Sequence, residues 1–190
     1  MRNKVRARPR LSRQDWINEA IEQLVEGGVG TVSVEQLATR LGVTRGSFYH
    51  HFADREDLLR GMLDYWAQRW SHSIREQIAA LGLDPGTTLL ALMRAIRSQG
   101  ASDYDAAFRA WALHDPLARA AVEQVDKARL AFIRSQFEGL GFTGLELENR
   151  ARLYLYYEVA RPAMFVSLPP QQDEELLVER HRFLTTAQNN

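Results

Sequence analysis

Cysteine is absent from this 190-residue chain. That excludes disulfides and thiolate metal sites, and it fits a reducing compartment. Net charge is absent too. The 24 Lys and Arg balance 24 Asp and Glu, so bulk charge selects no partner. No apolar run approaches the roughly 18 residues that a membrane-spanning helix needs. The basic start is not followed by the apolar stretch of a secretory signal. Together these features predict a soluble, cytoplasmic protein. Segments of period-two alternation are lacking, and so are internal repeats. Catalytic strings are missing as well: no Gly-rich phosphate loop, no G-x-S-x-G and no H-E-x-x-H. The five histidines (His50, His51, His72, His114 and His181) offer no spacing that sets three metal ligands on one face. His114-Asp115 precedes a proline and reads as a helix end and cap. The expectation is a protein that is not an enzyme and that uses no metal or cofactor.

What is present is helical. At 45% hydrophobic and 25% charged, the chain suits one or two globular units with real cores. Ser12, with Asp15 three residues on, can cap a first helix. Trp16, Ile17, Ala20, Ile21, Leu24 and Val25 fall on one face of it, and Gly27-Gly28 stops it. Ser33 caps a second helix carrying Val34, Leu37, Ala38 and Leu41, which Gly42 ends. Thr44 caps a third, through about His51. A long fourth helix starts after Asp54. Its stripe is Leu58, Met62, Trp66, Trp70, Ile74, Ile78 and Leu81, widened by Leu59 and Leu63. Further helices are expected over about 87–99, 103–113, 117–139, 145–167 and 173–186. The fold class is therefore all-α, with about nine helices. A three-helix head spans residues 1–55 and a helical body residues 56–190.

The second helix, Gly42 and the third helix have the spacing of a helix-turn-helix. Leu37, Ala38, Leu41, Val43 and Phe48 form the apolar angle that locks the two helices. The outward residues are then Thr44, Arg45, Gly46, Ser47, Tyr49 and His50. Arg45 suits a guanine edge or a phosphate. Ser33 and Thr44 lie at helix N-termini, where unpaired N–H groups favour phosphate. Tyr49, His50 and Arg55 suit backbone contacts. Arg2, Lys4, Arg6, Arg8, Arg10 and Arg13 form a run of six cations with no acid. Such a run is either a solvated arm or an arm that seeks phosphate. On geometry alone, a helical hairpin in some unrelated core remains the alternative.

The string VSVEQLATRLGVTRGSFYHHFADREDLL resembles the N-terminal domain of the TetR/AcrR family of bacterial regulators. Leu37-Ala38, Gly42-Val43, Thr44, Tyr49, His51-Phe52 and Leu58 match that family's pattern in place. Arg55 stands where the family usually has Lys, and Ser47 where it often has Thr. The resemblance covers about residues 10–60. It implies a homodimer on palindromic double-stranded operator DNA, with one recognition helix per subunit in successive major grooves. It further implies a small effector bound in the body, and repression as the commoner outcome. By resemblance, the eighth and ninth helices make the dimer. Tyr156, Val159, Phe165, Leu168, Leu176, Leu177, Phe183 and Leu184 are their candidate outer residues.

In the body, Tyr104, Phe108, Trp111, Tyr154, Tyr157, Glu158 and Arg161 mix aromatic and charged groups into apolar faces. They are the candidate effector contacts, against the plainer reading of a packed core. Glu158 and Arg161 can also simply pair on the surface. Pro162 is expected to kink the eighth helix. Two functions remain. One is a repressor released by a small molecule. The other is a DNA-binding dimer with a packed body that answers a protein partner or nothing.

Overall fold

The computed structural model describes residues 11–164 and 168–187. The basic arm through Arg10 and the candidate dimer residue Phe165 lie outside them. Among the described residues every regular element is helical. The helices are α1 (Arg13–Gly27), α2 (Val34–Leu41), α3 (Arg45–Phe48), α4 (Arg55–Ala67), α5 (Ser73–Ala79), α6 (Pro85–Ser98), α7 (Ala101–Ala112), α8 (Pro116–Gly139), α9 (Gly144–Ala160) and α10 (Pro170–Thr185). A π-helical turn, Gln68–His72, joins α4 to α5 without a break. The described helices thus form nine separate runs, as expected. Two compact units divide the chain, Met1–Met62 and Leu63–Asn190.

The first unit is built from its caps inward. The Ser12 side chain accepts from the Asp15 N–H, and the Asp15 carboxylate accepts from the Ser12 N–H at 2.7 Å. These bonds satisfy helix-end donors reciprocally and hold the Asp15 carboxyl below its usual range. Ser33 caps α2 by accepting from the Gln36 N–H at 3.2 Å. Gly42 takes a left-handed conformation, φ 68° and ψ 35°, which closes the α2–α3 turn at no side-chain cost. Trp16, Ile17, Ile21, Leu24, Leu37, Ala38, Phe48 and Phe52 are buried. Leu37, Ala38 and Phe48 belong to the apolar angle read from the sequence, whose other two members, Leu41 and Val43, are half-buried. Arg40 ties α2 to α1, pairing with Glu19 and gripping Glu26 with two N–H groups at 2.6 and 3.0 Å.

In the second unit, Trp66, Trp70, Ile74 and Ile78 recur every four residues. An α-helix turns once in 3.6 residues, so each such step overshoots a turn by about 40°. The π turn widens the helix where the overshoot accumulates. Trp66, Ile74 and Ile78 stay buried as a result, and Trp70 is half-buried. Leu81, expected to close the stripe, is exposed because α5 has already ended at Ala79.

Asp84 and Asp115 cap α6 and α8 with their side chains. Helix α9 ends at Ala160 instead of continuing through a kink to 167. Pro162 has no N–H to donate and clashes with the preceding turn. The chain passes into a short 3₁₀ segment, Arg161–Ala163, and then extends at Met164. Leu177 and Leu184 point inward and join the core with Leu89, Phe137, Ala151 and Tyr154. They are not outer residues of α10. The exposed apolar groups of α9 and α10 include Leu145, Leu153, Tyr156, Leu176 and Phe183.

Candidate DNA-binding surface and body cavity

The surface from Thr44 to His50 hangs on one side chain. Phe48 is fully buried. Its ring meets Trp16 edge-on at 5.4 Å and stacks on Phe52 at 5.1 Å. A four-residue helix cannot sustain itself in water, so this anchor sets the position of α3. The helix expected through His51 stops at Phe48. Tyr49 to His51 continue as a hydrogen-bonded turn, with the His51 and Phe52 N–H groups both donating to the Phe48 carbonyl, at 2.9 and 3.1 Å. Thr44 has the extended backbone of an N-cap, but its hydroxyl makes no capping bond.

Around this anchor, Thr44, Arg45, Gly46, Tyr49, His50 and Arg55 are exposed, while Ser33 and Ser47 are half-buried. Three of the basic groups are already engaged. Arg45 Nη2 lies 2.7 Å from Glu35 Oε1, with both side chains more than half exposed. Such a pair is worth about 0–1 kcal/mol, so a phosphate or base edge can displace it. Arg55 donates Nε to the Val32 carbonyl at 2.7 Å and Nη2 to the Val29 carbonyl at 2.8 Å. It therefore braces the 3₁₀ turn Val29–Thr31 that leads into Ser33. Sequence reasoning missed this brace, because main-chain carbonyls leave no residue signature. Arg13 is not a loose member of the basic arm. It pairs with Asp57 at 3.2 Å and lies 4.6 Å over the Phe52 ring.

The second unit contains a cavity of about 50 Å³. Its apolar wall includes Trp70, Ile74, Ile96, Phe132, Ile133 and Val159, and its polar wall Ser71, Arg75, Ser102, Asp105, Arg129 and Glu158. Of the expected contacts, Tyr154 and Glu158 are on the wall. Tyr104, Phe108, Trp111, Tyr157 and Arg161 are not. Tyr104 stacks on Trp70 at 4.3 Å. Phe108 and Trp111 are core, with Phe108 stacked on Trp66 at 5.0 Å. Tyr157 is 40% exposed, under the Arg180 guanidinium at 3.6 Å. Arg161 donates to the Ser102 hydroxyl at 3.3 Å. Glu158 and Arg161 do not form the surface pair; Glu158 is buried and pairs with Arg180 at 3.3 Å.

The wall's electrostatics are set by burial. Tyr154 donates its hydroxyl to the Leu89 carbonyl at 2.8 Å, and burial pushes its phenol well above the usual range. Burial also raises Glu158, against the pull of Arg180, Arg97 and Arg161. Asp105 is held by Arg109 at 2.7 Å and by Arg129 at 2.8 Å. Arg75 donates only to the main chain, to Ser71 at 3.2 Å and Ala128 at 3.0 Å. Burial and the neighbouring Arg129 lower its pKa. Sequence reading passed over Asp105, although a signal was there: it shares the buried face of α7 with Ala101, Ser102, Phe108 and Ala112. Among the described residues, no group of three His, Cys, Asp or Glu is placed to hold a metal, and no helix is long and apolar enough to cross a membrane.

A family profile described as "Bacterial regulatory proteins, tetR family" matches residues 17–62. The HTH-type transcriptional regulator BetI of Yersinia pestis is 30% identical over 83 residues, which is 43% of this chain and 42% of BetI. The match thus spans less than half of that relative's length. Among solved structures, AibR "in complex with isovaleryl coenzyme A and operator DNA" superposes with a TM-score of 0.71 at 18% identity, covering 91% of this chain and 97% of AibR. FadR from Bacillus subtilis, in complex with stearoyl-CoA, gives 0.70 at 16% identity, covering 94% and 100%. At such identities the two structures establish the fold alone. The motif carried by α2, α3 and the start of α4, with the profile that covers it, identifies residues 17–62 as a helix-turn-helix domain of the tetR-family type.

Proposed function

We propose that this regulator is a homodimeric repressor that grips operator DNA through residues 44–50 and releases it when a small effector fills the body cavity. The observation that carries the DNA half is the exposed set Thr44, Arg45, Gly46, Tyr49 and His50, fixed on a short helix by the buried Phe48. Arg45 leaves Glu35 to read a base edge. Ser33, Thr44, Ser47, Tyr49 and His50 contact phosphates. Arg55 supports Ser33 by bracing the turn before it, and its remaining donors can still reach a phosphate. The dimer pairs α9 and α10 of two copies, burying Leu145, Leu153, Tyr156, Leu176 and Phe183, which a lone subunit leaves exposed.

The cavity supports an effector because its wall carries Arg75, Asp105, Arg129 and Glu158. A plain packed core keeps charge away from its interior spaces. The acyl-CoA complexes of AibR and FadR, which share the fold, support a ligand for this protein as well. A second reading has its own observation: Phe108, Trp111 and Tyr154 are buried, and a cavity of about 50 Å³ is far below the roughly 300–1,000 Å³ of ordinary ligand pockets. That favours a packed body answering a protein partner. A mobility shift on DNA flanking the gene tests the reading. Arg45→Ala and Tyr49→Ala should each weaken binding at least about tenfold with an unchanged melting curve; unchanged affinity in both variants removes the recognition surface.

A further inference from the structure

The charges around the body cavity do not balance. In one group, Arg75, Arg109 and Arg129 share two carboxylates. Arg109 grips Asp126 with two N–H groups, at 2.8 and 2.5 Å, and reaches one oxygen of Asp105 at 2.7 Å. Arg129 takes the other oxygen of Asp105 at 2.8 Å. Both acids are thereby used. Arg75 is left with the carbonyls of Ser71 and Ala128 as partners, and it stands on the cavity wall. A second group repeats the ratio. Arg97, Arg161 and Arg180 surround Glu158, and the second acid there, Asp173, is held by Arg97 at 2.8 Å. Each group counts three guanidiniums against two carboxylates paired with them, and the exposed Glu76 adds a further acid near Arg75. The wall itself carries Arg75 and Arg129 with Asp105 and Glu158, and its one guanidinium without an ion pair among the described residues is Arg75.

A surplus cation beside an apolar space selects the sign of what enters. A cationic ligand meets repulsion there and a neutral one leaves the surplus standing. An anion gains charge-assisted hydrogen bonds, and a planar carboxylate matches the guanidinium fork. The remaining wall, Trp70, Ile74, Ile96 and Phe132, suits a hydrocarbon body. The volume, about 50 Å³, admits a compact body and leaves no room for a nucleotide-bearing conjugate.

We propose that the cavity takes a compact apolar carboxylate, with the carboxylate on Arg75 and the hydrocarbon against Trp70, Ile74, Ile96 and Phe132. This rests on the effector reading above and names the chemistry of that ligand. Arg75 is the specificity-determining residue. Asp105 serves it by occupying Arg109 and Arg129, so that the surplus charge stays with Arg75.

The test uses the full chain and three probes of one shape, benzoate, benzamide and benzylamine, with binding read by calorimetry and ligand-observed NMR. Benzoate should bind at least about tenfold more tightly than benzamide, the value of one charge-assisted bond. Benzylamine should bind weakest. Arg75→Gln should erase the preference and leave benzamide unchanged, and Arg75→Lys should restore part of it. Ile96→Trp, which fills the cavity, should abolish binding of all three. Equal binding of benzoate and benzamide, or a benzoate preference that survives in Arg75→Gln, overturns the carboxylate assignment and leaves the effector reading standing. Binding of every probe undiminished by Ile96→Trp, or no binding of any probe, overturns both.

Discussion

Replacing Phe48 with alanine tests how the recognition surface is held. The ring is fully buried, with Trp16 at 5.4 Å and Phe52 at 5.1 Å. Truncating a buried Phe to Ala costs about 3–5 kcal/mol. Of that, the contacts with Trp16 and Phe52, with a third to Tyr49 at 5.3 Å, supply about 0.5–1.5 kcal/mol each beyond area burial. Helix α3 has four residues and no other large buried side chain, so the loss falls on the segment that presents Arg45 and Tyr49. With a urea slope of about 2 kcal/mol per molar, the first unit's unfolding midpoint should fall by roughly 2 M. Hydrogen exchange of the α2–α3 amides, followed through a urea series, isolates this unit from the rest of the chain. Operator binding should fall in parallel. Phe48→Leu keeps most of the volume and should cost only about 1 kcal/mol, with DNA binding retained. A Phe48→Ala midpoint within about 0.5 M of the parent, at undiminished DNA affinity, would refute the anchor.

Other expectations follow from the same geometry. Trp66 is fully buried and stacked on Phe108, so Trp66→Asp should leave the second unit unfolded by near-UV circular dichroism; a native spectrum would refute the stripe. Gly42 sits at φ 68°, so Gly42→Ala should lower the head's stability by about 1 kcal/mol, read as a drop in its melting point. Deleting residues 1–10 should flatten the salt dependence of DNA binding, because five fewer cations release fewer counterions; an identical slope would show that the arm is idle. Leu145 is 89% exposed and Phe183 66%, so the double change to Ser should yield monomers in sedimentation. A dimer unchanged in mass would place the interface elsewhere.

The helix-turn-helix was legible in the sequence because its determinants are local. Ser33, Gly42 and the apolar set Leu37, Ala38 and Phe48 each act within a few residues of where they stand. The end of α3 was not legible, since the hydrogen-bonded turn over Tyr49–His51 has nearly the side-chain pattern of one more helical turn. The π turn was written in the strict four-residue spacing of Trp66, Trp70, Ile74 and Ile78, a period that an α-helix cannot keep. The cavity was the least legible part. It is made by side chains far apart in sequence, Ser71 with Arg129 and Asp105 with Arg129, whereas the aromatic residues of α7 belong to the core. Phe108 carries no polar group and Trp111 is mostly apolar, so both went inward. Glu158, a lone acid on a buried face, was the better guide.

Sequence-specific DNA recognition by residues 44–50 is best read from a comparison of two duplexes. Fluorescence anisotropy should compare a labelled duplex from the gene's own upstream region with an unrelated duplex of equal length, at 150 mM salt (roughly physiological, a Debye length of about 8 Å). Binding to the upstream duplex should be at least about 1,000-fold tighter, with that ratio collapsing in Arg45→Ala while the weak binding to unrelated DNA persists. Equal affinity for the two duplexes, or a ratio untouched by Arg45→Ala and Tyr49→Ala, would contradict recognition by these residues.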